Sequence, residues 1–67
     1  MLNLYDVVKT KTDYPDLFLT KENIGTIVDV LNNGEAYTVE FLDENNETIE
    51  EALFVEFNES ELVLIKS

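Results

Sequence analysis

Residues 25–42 read GTIVDVLNNGEAYTVEFL, two runs rich in β-branched and aromatic residues on either side of Asn32, Asn33 and Gly34. Asparagine and glycine accept positive φ at the least cost, so the stretch specifies a tight hairpin between strands Gly25–Leu31 and Ala36–Leu42. Within the second run Tyr37, Val39 and Phe41 fall on one face, and Thr38 and Glu40 on the other. That alternation belongs to an antiparallel strand with one face on a core and one in water. A lone hairpin is at best marginally stable, so the flanking sequence must supply further strands.

Towards the N-terminus, Tyr5–Lys9 (YDVVK) reads as a strand. The segment after it, TKTDYPDLFLTKEN, is a long irregular connection punctuated by Asp13–Pro15 and Asn23. Leu17, Phe18 and Leu19 stand together in that polar loop. Three adjacent apolar residues there predict that it folds back over one end of the barrel and buries at least two of them as a plug. Towards the C-terminus, Asp43–Glu47 (DENNE) reads as a turn and Thr48–Phe57 (TIEEALFVEF) as a fourth strand. There Ile49, Leu53, Val55 and Phe57 alternate with Thr48, Glu50, Ala52 and Glu56. Glu51 interrupts the alternation and marks a bulge, a crossing between sheets or a frayed strand start. Asn58–Ser60 fits a single helical turn capped by Asn58, followed by a last strand, Leu62–Lys66.

No window sustains helical periodicity, so the expected class is all-β. The order is strand, long loop, strand, tight turn, strand, turn, strand, helical turn, strand. It predicts a small five-stranded SH3-like barrel spanning residues 1–67 as one domain.

Composition narrows the function. The 67 residues hold 45% hydrophobic side chains and no Cys, which argues for a folded core and excludes disulfides and thiolate metal sites. No stretch approaches the roughly 20 apolar residues of a membrane span, and the N-terminus lacks the pattern of a signal peptide, so the cytoplasm is the expected compartment. Fifteen acids against four lysines give a net charge of −11, which repels nucleic acid and anionic membrane and favours basic partners. The excess is uneven: residues 40–67 carry nine acids and only Lys66. Lys9, Lys11 and Lys21 read as a solvated rim, not a nucleic-acid patch.

LDENNETIEE, residues 42–51, resembles a calcium loop at first sight. Counted from Asp43, however, Thr48 stands where the invariant Gly belongs and Phe54 where the bidentate Glu belongs. The stretch reads better as a hairpin turn, and no metal or other cofactor is expected. Pairs among Glu40, Glu50, Glu51 and Glu56 could serve acid–base chemistry, but a barrel this small has little room for a substrate cleft. His, Cys and Arg are absent altogether, so no catalytic residue is expected. Tyr5, Tyr14 and Phe18 could line a groove for proline-rich peptides; the better reading makes Tyr5 and Phe18 core or half-buried residues and Tyr14 a packer of its loop.

What remains is the acidic face, either a solubilising surface or a docking surface. In the second reading Glu40, Glu50 and Glu56 on the outward faces of the third and fourth strands join Asp43, Glu44 and Glu47 of the turn. Together they would steer in a basic protein. A nucleic-acid mimic is the alternative, and a cation-binding or small hydrolytic domain the third. Monomer or weak dimer is the expected state.

The segments LYDVV (4–8), DYPDLFLTKENIGTIVDV (13–30) and GEAYTVEFLDENNET (34–48) together resemble a family of short acidic bacterial proteins of unassigned function. The loop after the first strand in that family usually reads P-x-x-G-L, and here the Gly is replaced by Phe18 or lost. The resemblance implies a small antitoxin- or immunity-type partner of a toxin encoded nearby. It assigns no catalytic residue.

Overall fold

The computed structural model describes residues 1–67. Five antiparallel strands form a single sheet: β1 (Val7–Thr10), β2 (Gly25–Leu31), β3 (Ala36–Phe41), β4 (Glu56–Phe57) and β5 (Leu62–Lys66), in the order β4-β3-β2-β1-β5. One helical turn, α1 (Glu50–Leu53), and two 3-10 turns, Pro15–Leu17 and Glu59–Glu61, complete the chain. The all-β expectation therefore holds, with strand existence right in each case and several boundaries corrected.

The β2–β3 hairpin forms as read. Leu31 pairs with Ala36, and Asn32, Asn33 and Gly34 turn the chain at φ 50°, 60° and 99°. Tyr37, Val39 and Phe41 are all completely buried. β2 carries an irregularity that periodicity does not reveal: Ile27 faces Val39 but Asp29 faces Thr38, leaving Val28 as an extra residue. The bulge shifts inward positions from odd numbers (Gly25, Ile27) to even ones (Val30), and both Val28 and Asp29 are exposed.

Before β1, Tyr5 sits at φ 70° and the Asp6 amide donates to Asn3 O, so residues 3–6 make a turn and the strand starts at Val7, not Tyr5. β1 lies between β2 and β5. In the long loop, Tyr14 and Leu19 bridge across the Pro15–Leu17 turn, which Phe18 closes in the left-handed region at φ 56°. That conformation turns Phe18 outward, 71% exposed, while Leu19 is buried in the core and Leu17 packs partly against it. Of the two burials expected, Leu19's is complete and Leu17's only partial. The same left-handed geometry at Tyr5, 73% exposed, overturns the core or half-buried reading of both aromatics.

The largest correction concerns the fourth strand. Thr48 makes only an isolated bridge to Leu42, Glu50–Leu53 is helical, and β4 is two residues long. Glu-Glu-Ala-Leu consists of good helix formers, and Ile49, Ala52 and Leu53 recur at i, i+3, i+4. Ile49 and Ala52 are buried while Leu53 is half-buried, so α1 caps the core where a continuous strand was expected. Glu51 breaks the alternation because it sits on the exposed side of this turn. The second 3-10 turn follows Asn58 as anticipated, one residue later than read: Asn58 N donates to Glu61 Oε1 at 2.8 Å and Glu61 N to Asn58 O at 2.9 Å.

The core gathers Leu2, Val8, Leu19, Ile27, Tyr37, Val39, Phe41, Ile49, Ala52, Phe57 and Leu62. Its aromatic spine runs Phe41–Phe57–Tyr14, edge to face at 5.5 and 5.7 Å, which ties β3 to β4 and to the long loop. Gly25 lies opposite Phe41, and a Cβ there would come within 2.6 Å of the Phe41 ring and of Val39. The residue is glycine because the ring needs that space.

Candidate functional site

The acidic residues singled out in the sequence divide into those that hold the fold and those that are free. Asp43 belongs to the first group. Its Oδ1 accepts from Asn45 N at 2.8 Å and Glu47 N at 3.0 Å, while its own amide donates to Glu47 O at 2.8 Å. Asn46 takes φ 63° to complete the turn, and Leu42 bridges Thr48 behind it. LDENNET is therefore a hairpin turn built around an aspartate that accepts from its own backbone. Glu40, half-buried on β3, accepts from Thr48 Oγ1 at 2.7 Å and anchors the same turn to the sheet.

Glu44, Glu47, Glu50 and Glu56 make no hydrogen bond or ion pair through their carboxylates and are all exposed. The cross-strand register decides which acids share a surface, because directly opposed residues point the same way. Thr38 faces both Asp29 on β2 and Glu56 on β4, and Thr26 faces Glu40. Asp29, Glu40 and Glu56 thus occupy one outer sheet face. Glu50 does not join them there: it lies in the first turn of α1, so its assignment to an outward strand face is corrected. Glu44 and Glu47 project from the adjoining turn.

Two exposed residues escaped sequence reading, one on this face and one after α1. Asp29 was hidden because the Val28 bulge reverses the parity of β2, and strict alternation cannot register an extra residue. Phe54, which follows α1, is 86% exposed, the most exposed large apolar side chain in the protein. It sits between Glu50, Glu51 and Glu56 in sequence. The breakdown of alternation around Glu51 was the one available hint.

Next to the Asp43 turn lies an open hollow of 520 Å³ whose walls include Glu22, Asn23, Asp43, Glu44 and Asn46. Asn23 holds its two sides together by donating from Nδ2 to Leu42 O at 3.1 Å. Acids line it, yet no three of them converge in an arrangement that could hold a metal ion.

Cations are scarce around this region. The two ion pairs in the protein join the N-terminal ammonium to Glu59 at 3.5 Å and Lys9 to Glu22 at 3.6 Å. Of the nine acids between Glu40 and Glu61, only Glu59 has a cationic partner within the chain.

Tyr14 does not line a peptide groove. Its ring packs on Phe57 and its hydroxyl donates to Glu61 Oε2 at 2.9 Å. Burial, and then the hydrogen bond to Glu61, push the phenol above its ordinary pKa.

No helix is long and apolar enough to cross a membrane. No curated protein and no solved structure matches the chain. Residues 4–62, from the turn before β1 to the first residue of β5, match the family model described as a domain of unknown function, DUF4926, and the chain belongs to that family.

Proposed function

We propose that this protein is a non-catalytic binding module, an antitoxin- or immunity-like inhibitor that presents its acidic surface to a basic protein partner, such as a nuclease. The observation that carries this reading is the near absence of internal cations around the acids between Glu40 and Glu61. Their mutual repulsion destabilises the free chain, and a complementary basic surface would relieve it while accelerating encounter. Asp29, Glu40 and Glu56 supply the sheet face, and Glu44 and Glu47 the turn. Phe54 is an apolar projection among carboxylates, the kind of side chain that anchors an interface when it enters a partner's pocket.

The scaffold is best read as an SH3-like barrel. The strand order β4-β3-β2-β1-β5, the long loop after β1 and the 3-10 turn before β5 support that reading. The bulge at Val28 supports it too, as a point where β2 can bend between two packed layers.

The test is affinity capture of a basic partner with the wild type and with the triple reversal Glu44→Lys, Glu47→Lys, Glu56→Lys. All three side chains are exposed and free, so the fold should survive. Binding should fall with rising salt in the wild type, since exposed charge contacts are screened, and should be lost in the triple variant. Retention of the partner by the triple variant would remove the acidic surface as the interface.

A further inference from the structure

The two edges of the sheet are unlike. At one end β4 is two residues long, carries Glu56 and is preceded by α1, features that blunt an edge against further pairing. At the other end β5 pairs with β1 along one side only, and its second side carries no strand. Leu62 faces the core, but Val63, Leu64 and Ile65 are 40%, 48% and 49% exposed. From Leu62 to Lys66 the strand contains neither an acid nor a proline. The features of β5 that would blunt an edge, Lys66 and the irregularity at Ile65, are confined to its C-terminal end, so Leu62–Leu64 remains an open, apolar template for adding another strand.

We infer that β5 is a self-association edge whose occupant is β5 of a second copy, added antiparallel about a two-fold axis near Val63. Charge argues for this occupant. In a chain of net −11, β5 is an acid-free strip, so it is the strand along which two copies meet without local repulsion. Antiparallel pairing also runs the Lys66 end of each strand beside the Glu59–Glu61 end of the other. Lys66 has no ionic partner within the chain. Glu61 is already fixed in place by Asn58 N and the Tyr14 hydroxyl, so the acidic end is preorganised. The irregularity between β1 and β5 falls at Ile65 and leaves Leu62, Val63 and Leu64 in regular register with Thr10, Lys9 and Val8. The regular part of the edge is therefore straight enough to pair. An isologous two-fold contact of this type closes on itself and yields a dimer, not a fibre.

The association has a distinctive dependence on salt. Each copy carries −11, so salt screens the long-range repulsion and strengthens the dimer, whereas it weakens the complex with a basic partner. Sedimentation equilibrium of the purified chain at low salt and at 1 M NaCl, over a broad concentration range, reads the effect. The weight-average mass of the wild type should rise towards twice the monomer with concentration, at lower concentration in high salt. Leu64→Lys places two cations beside the axis and should hold the chain monomeric at both salts. Lys66→Glu, at an exposed position where folding is not at risk, should shift dimerisation at least several-fold to higher concentration at low salt. Circular dichroism of each variant verifies the fold. A wild type that stays monomeric at millimolar concentration in 1 M NaCl would overturn the proposal, as would dimerisation of both variants at wild-type concentrations.

Discussion

Gly25→Ala tests the packing logic of the core with a single methyl group. A Cβ at position 25 lies 2.6 Å from Phe41 Cδ1, 2.6 Å from Val39 Cγ1 and 2.8 Å from Phe41 Cε1. Carbon atoms in contact normally sit about 3.5–4.0 Å apart, so an adjustment on the order of 1 Å is required. Neither neighbour has room to give: both are completely buried, and the Phe41 ring is held edge to face against Phe57 at 5.5 Å. Phe57 in turn is held by Tyr14 at 5.7 Å. Overpacking of this kind costs about 1–3 kcal/mol. Alanine offsets part of it, about 0.4–1 kcal/mol, by restricting the unfolded chain. The net loss is about 1.3 kcal/mol at the centre of the two ranges. At roughly 4–8 °C per kcal/mol for a domain of this size, the Tm should fall by about 5–10 °C. Thermal denaturation followed by circular dichroism measures it, and the Phe near-ultraviolet signal should change with the ring's displacement. An unchanged or raised Tm would refute the close approach of ring and backbone. Gly34→Ala is the informative comparison. There the nearest atoms belong to the flexible Met1 side chain, 2.5 Å away at Sδ, and the backbone sits at φ 99°. Its cost should come from conformation and not from crowding, and truncating Met1 should not relieve it.

Glu61→Ala removes the acceptor for both the Tyr14 hydroxyl and the Asn58 amide and should cost about 1–3 kcal/mol in urea denaturation, whereas Glu61→Gln should retain most of the stability. The raised phenol pKa of Tyr14 has a defined sign. The folded state holds the proton more tightly than the unfolded chain, so the associated stability is complete below the ordinary tyrosine pKa of about 10. It is lost as pH climbs through that value towards the folded one. The alkaline fall in urea midpoint should therefore be shallower in Tyr14→Phe than in the wild type, and equal slopes would contradict the assignment. Phe54→Ala should change stability by roughly 0.5 kcal/mol at most, about 2–4 °C in Tm, because the side chain is 86% exposed. If Phe54 anchors a partner, the same variant should release that partner in the capture assay.

The turn and β3 of the hairpin at residues 25–42 were legible because two local rules agree on them, period-two burial in β3 and left-handed residue types in the turn, whereas the Val28 bulge in β2 was not. The Asp43 turn was legible for the same reason, since an aspartate that accepts from its own backbone needs nothing from elsewhere in the chain. Residues 48–57 misled because apolar positions at 49, 53, 55 and 57 satisfy a strand template, while the helical subset 49, 52, 53 spans only one turn. Periodicity cannot choose between the two over so short a length, and the choice falls to what α1 can bury against β3.

The acidic surface was legible as composition but not as geometry. Its residues are counted from the sequence alone, and their excess over residues 40–67 needs no structure. Which of them share a face depends on register, and the Val28 bulge set Asp29 opposite Thr38 beside Glu56 through pairing with a distant strand.

By itself, then, the sequence determined the all-β class, the number of strands, both hairpin turns and the charge, because each follows from the properties of neighbouring residues and from totals. Only the tertiary structure decided that Tyr5 and Phe18 face solvent, that Gly25 makes room for Phe41, that Phe54 stands exposed and that β5 ends the sheet. Those outcomes depend on packing between segments far apart in the chain, where the space available to a side chain is set by residues that local pattern cannot see.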